Sequence, residues 1–82
     1  MNKELIKTLK KERKRLYPNG YPFAPRGSGK TFTYMYHFLV YTAYDFVCGI
    51  YMNMDRKVSL EEAHNDMRDY IKEMWRIVEE RY

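Results

Sequence analysis

The sequence predicts an all-α fold: a small three-helix domain with a long, aromatic-rich central helix and a Pro/Gly-rich loop between the first and second helices. Three observations carry this. All three prolines and three of the four glycines in the 82 residues fall between Pro18 and Gly29, which leaves the rest of the chain open to helix. Apolar residues recur every three or four positions on both sides of that stretch. The last segment opens with the capping-box pattern Ser59-Leu60-Glu61-Glu62. The length allows one domain, 1–82, with a modest core.

The first helix is expected over 2–16, with Asn2 as its N-cap. Leu5, Leu9 and Leu16 share one face with Ile6 beside them. Lys3, Lys7, Lys10 and Lys14 recur at spacings of four, three and four, and Lys11, Arg13 and Arg15 widen that stripe. Residues 17–29, YPNGYPFAPRGSG, form the loop, with a tight turn at Pro18-Asn19-Gly20.

The second helix is expected over 30–54. Phe32, Tyr36, Leu39, Ala43, Phe46 and Ile50 make a seam with a period near 3.5, and a second aromatic line contains Tyr34, Tyr41, Tyr44 and Tyr51. A helix that is apolar nearly all round has neighbours on several sides. The polar residues NMDRKV at 53–58 suit a turn between antiparallel helices. The third helix is expected over 59–81. Its stripe runs through Leu60, Ala63, Met67, Tyr70 or Ile71, Met74 and Val78, and acids crowd its first turn.

Charge is distributed unevenly. Residues 1–30 carry net +7, residues 31–57 balance at zero and residues 58–82 carry −3. The single cysteine, Cys48, cannot form an internal disulfide and, with His37 and His64, shares no metal-ligand spacing. No metal and no cofactor is expected. The start of the chain, MNKELIKTLKKERKR, has no apolar core of a secretory signal, so a cytoplasmic setting is expected. Residues 32–54 lack Lys and Arg, but Asp45, His37, Asn53 and the tyrosine hydroxyls argue against a bilayer span.

One motif invites chemistry. Arg26-Gly27-Ser28-Gly29-Lys30-Thr31 resembles the end of a phosphate-binding P-loop, whose pattern is G-x-x-x-x-G-K-[ST]. The position of its first glycine is Ala24, two prolines stand where a buried strand should lead in, and no apolar run ending in a magnesium-binding Asp follows. Nucleotide hydrolysis is therefore not expected. Two readings remain: an anion held by the Gly27, Ser28 and Gly29 amides with Arg26 and Lys30, or a glycine-rich helix entry with solvated bases. The His37, Tyr41 and Asp45 ladder at i, i+4 and i+8 lacks a nucleophile, so a buried hydrogen-bond chain joining helices is expected there, or an Asp45 pair with a first-helix lysine. His64, among acids, is expected on the solvated surface.

The function expected from these residues is binding, without catalysis. Lys7, Lys10, Lys11, Arg13, Lys14 and Arg15, with Arg26 and Lys30, present a face suited to nucleic acid or a nucleoprotein. The competing expectation is that this helix docks on the acidic third helix. A protein partner or a homodimer is expected on Tyr34, Tyr41, Tyr44, Tyr51 and Trp75, because aromatics make up 17% of the chain. In size and style the chain resembles small proteins of phages and mobile elements, including the anti-CRISPR proteins. That resemblance implies, as the alternative, inhibition of a host defence nuclease through protein contacts.

Overall fold

A computed structural model describes residues 2–20 and 31–81, without the side chains of Thr31 and Phe32. The order is α1 (Lys3–Leu16), α2 (Thr31–Met52) and α3 (Leu60–Arg81), with no strand among the described residues. Most of the loop expected at 17–29 lies outside the described residues. Its first turn lies within them: the Gly20 amide donates to the Tyr17 carbonyl at 3.1 Å, and Gly20 takes a φ of +87°. That conformation needs glycine at low cost.

Both α1 and α3 pack against α2. The core gathers Leu9 from α1, then Ala43, Tyr44, Val47, Cys48 and Tyr51 from α2, then Val58, Ala63 and Met67. Leu5, Ile6, Val40, Met54, Tyr70 and Ile71 close over it. Burying a side chain the size of Leu9, Val47 or Met67 contributes about 1.5–3 kcal/mol before conformational entropy is subtracted.

The buried face of α2 differs from the expected seam. Leu39 and Ala43 of that seam are inside, while Tyr36, Phe46 and Ile50 are exposed. Tyr44 and Tyr51, expected at a protein interface, are instead buried within the chain. The reason is polar. The Tyr44 hydroxyl donates to Glu12 Oε1 at 2.8 Å, and the Tyr51 hydroxyl donates to Asp66 Oδ2 at 2.5 Å. A buried tyrosine that finds an acceptor keeps its ring burial without an unsatisfied hydroxyl. Phe46 and Ile50 have no such anchoring bond.

Asn2 is corrected from helix cap to cross-brace. It stands at the N-cap of α1 but makes no capping bond with its side chain. The side chain, 3% exposed, reaches the connection between α2 and α3. Its Nδ2 donates to the carbonyls of Tyr51 (3.2 Å), Met54 (3.4 Å) and Arg56 (3.0 Å), and its Oδ1 accepts the Val58 amide at 2.9 Å. Those carbonyls include ones that the end of α2 leaves unpaired. The brace coincides with the end of α2 at Met52, two residues short of the expected boundary.

The α3 start keeps half of its capping box. Ser59 Oγ accepts the Glu62 amide at 3.1 Å. The Glu62 carboxylate turns away and takes two bonds from Arg56, at 3.0 and 2.6 Å. That hydrogen bond with Arg56 holds the Glu62 carboxyl below its ordinary range.

Candidate nucleic-acid interface

The basic face of α1 is built by the docking of its opposite side. Leu9 is fully buried, with Leu5 and Ile6 beside it, so a helix of 3.6 residues per turn must point Lys3, Lys7, Lys10 and Lys14 outward. These four, with Lys11 and Arg15, are exposed. None of the six makes an ion pair among the described residues. From Lys3 to Lys14 the stripe spans about 16 Å, at 1.5 Å per residue.

Arg13 differs from its neighbours. It pairs with Asp45 on α2 and lies over the Tyr41 ring, 5.0 Å from the centroid. The partner expected for Asp45 is a lysine of this helix; the partner it has is Arg13 instead. The other members of the ladder serve α1 as well. His37 Nδ1 lies 3.1 Å from the Tyr17 hydroxyl, and the Tyr17 ring meets Tyr41 edge-on at 5.8 Å. Burial, with Tyr36 nearby, raises the Tyr17 hydroxyl above its ordinary range.

The aromatic run continues from there. Tyr17 meets His37 at 5.9 Å, His37 meets Tyr36 at 5.7 Å, and Tyr36 meets Trp75 of α3 at 6.1 Å. Of these rings Tyr36 and His37 are exposed, and Tyr17, Tyr41 and Trp75 are half-buried. Tyr34, also half-buried, lies 6.2 Å from Phe38. The run joins the C-terminal end of the lysine stripe to α3. Tyr17, at the end of α1, is the link in this run that the helical periodicity does not reveal.

The acidic line of α3 does not receive the lysines. Glu62 holds Arg56, Asp66 accepts the Tyr51 hydroxyl, and Glu73 pairs with Arg76 at 3.0 Å. Contact between α1 and α3 has the opposite sense: Glu12 of α1 meets His64 of α3 at 3.0 and 3.2 Å. His64 is therefore tied to another helix, contrary to its expected solvated place. Glu12 gathers Tyr44 and His64, so one carboxylate links all three helices. Burial, then the bond to Glu12, pushes the Tyr44 hydroxyl well above its ordinary range, and Asp66 acts likewise on Tyr51.

Arg26, Gly27, Ser28, Gly29 and Lys30 lie outside the described residues. Among the described residues, no three His, Cys, Asp or Glu side chains are grouped to hold a metal ion, and no helix is long and apolar enough to cross a membrane. The Cys48 thiol is buried, and burial raises it above its usual range, away from the nucleophilic thiolate. No protein-family profile, curated protein or solved structure matches this chain.

Proposed function

We propose that this chain is a non-enzymatic binding protein whose outer α1 face engages the phosphate backbone of nucleic acid, free or within a nucleoprotein. The supporting observation is the row of exposed α1 cations, Lys3, Lys7, Lys10, Lys11, Lys14 and Arg15, with no ion pair to any described carboxylate. Such a row costs repulsion along its own helix, about 0.2–0.5 kcal/mol for each like-charged pair one turn apart. A polyanion removes that cost and releases its counterions. The 16 Å stripe matches the length of about five phosphates on one strand. Exposed Tyr36 and His37, reached through Arg13, Tyr41 and Tyr17, offer ring faces on which a splayed base would stack.

The test is fluorescence anisotropy of a labelled duplex across a salt series. Four lysines in contact give a slope of about −3.6 in log K against log salt. A slope near zero, or no binding at low salt, would end this reading.

The alternative reading is a small phage or mobile-element protein that inhibits a defence nuclease through protein contacts, as anti-CRISPR proteins do. It draws support from the exposed Phe46 and Ile50, which lie at the α2–α3 seam apart from α1. A single protein partner retained in high salt, with no nucleic-acid binding, would favour it.

A further inference from the structure

The α2–α3 seam carries an open groove of about 590 Å³ that no α1 residue lines. Phe46, Ile50 and Met74 form its apolar surface, and Asp66, Asp69 and Glu73 wall it on the α3 side. Phe46 is 48% exposed and Ile50 42% exposed, and the two share the groove with Met74, so they form one contiguous apolar patch. The Phe46 ring is held in place by stacking on Tyr70 at 4.7 Å, and the Tyr70 hydroxyl donates to Thr42 at 3.3 Å. The apolar surface is thus presented by ordered side chains.

The wall has one sign. No Lys or Arg lines the groove, and α2 carries none from Thr31 to Met52. Asp69 has no ion pair among the described residues, and the Glu73–Arg76 pair is largely exposed and weak. A neutral apolar occupant would leave those carboxylates without compensation where its contact excluded water. A second copy docked groove to groove by twofold symmetry would gather six carboxylates into one interface with no groove Lys or Arg to meet them. Both disagree with the charge of the site.

We infer that this groove docks a cationic amphipathic helix of another protein, with two or three apolar anchors on Phe46, Ile50 and Met74 and Lys or Arg against Asp66, Asp69 and Glu73. This is helix-in-groove recognition, read as anchors at i, i+3 or i+4, and i+7. It is independent of the phosphate-binding reading of α1. The chain's overall charge of +4 repels a cationic peptide, so any attraction must be local.

The experiment uses the full chain and a fluorescein-labelled Leu/Lys peptide of about 14 residues written with helical period. The same peptide with Glu for Lys is the control. Saturable one-to-one binding of the Lys peptide only is expected, with amide shifts in NMR centred on Phe46, Ile50, Asp69 and Met74. Asp69→Lys with Glu73→Lys should weaken it about tenfold or more through the lost and reversed charges. Ile50→Lys, a single exposed change, gives the same reading if the double variant does not fold. Binding that survives these substitutions, shifts centred elsewhere, or no binding overturns the proposal. So does a concentration-dependent dimer abolished by Ile50→Lys, which would assign the groove to a second copy.

Discussion

Replacing Asn2 separates two physical roles that a single residue can hold at a helix start. As a cross-brace, its side chain supplies an acceptor to the Val58 amide and donors to the Tyr51 and Arg56 carbonyls, in a site that is 3% exposed. Asn2→Ala strands the Val58 amide and weakens the end of α2. A buried orphan group costs about 1–3 kcal/mol, so the substitution should cost about 2–4 kcal/mol in all. At about 0.05–0.15 kcal/mol per residue, the chain holds roughly 4–12 kcal/mol in total, so this is a large share. Asn2→Asp is the sharper test. As an N-cap, Asp is worth about as much as Asn and the change would be nearly neutral. As a brace, it keeps the bond to Val58 but turns a carboxylate oxygen toward three carbonyls. It should then cost more than Ala at neutral pH and recover as pH falls towards about 4, because a carboxylate buried against carbonyls takes up its proton above the ordinary Asp value. Urea unfolding followed by circular dichroism reads both values. An Asn2→Asp protein as stable as the parent, or an Asn2→Ala cost under about 0.5 kcal/mol, would refute the brace.

Three further perturbations follow from the same structure. Tyr44 and Tyr51 are raised in the folded chain by burial and by Glu12 and Asp66, so the unfolded chain loses those protons first, near pH 10. Their stabilisation is complete below pH 10 and declines above it, by about 1.4 kcal/mol per pH unit for each proton retained on folding. Tyr44→Phe should flatten that alkaline decline in urea midpoints measured from pH 9 to 11.5, and an unchanged decline would count against it. Gly49 lies exposed inside α2, and a Cβ there meets nothing within 4 Å, so Gly49→Ala should raise stability by about 0.5–1 kcal/mol. A lowered melting temperature would show that the position is crowded. Leu9 is fully buried where α1 meets the core, and Leu9→Ala should cost about 2–5 kcal/mol in the same unfolding assay. A cost below 1 kcal/mol would mean that α1 is loosely docked.

The helices were legible because their signals are local. The Leu5–Leu9 spacing, the Ser59 cap and the α3 stripe each lie within a few residues, and the three elements follow from them. The buried face of α2 was not legible. Apolar and aromatic residues surround that helix, so periodicity could not choose between Tyr44–Tyr51 and Phe46–Ile50. The choice depends on hydroxyl acceptors 32 and 15 residues away, Glu12 and Asp66. Asn2 and His64 were misread for the same reason, since their partners lie more than 45 residues away along the chain. The lysine stripe was legible as a pattern. That α3 leaves it uncompensated depended on where Glu62, Asp66 and Glu73 direct their charge.

The central claim is that the outward lysines of α1 meet phosphates one for one. Lys7→Ala, Lys10→Ala and Lys14→Ala combined should leave the helical spectrum intact and reduce the steepness of the salt dependence by about 2.7, at about 0.9 for each lost contact. A triple variant that binds the same duplex with the parent's salt dependence would place the contact elsewhere and contradict the account.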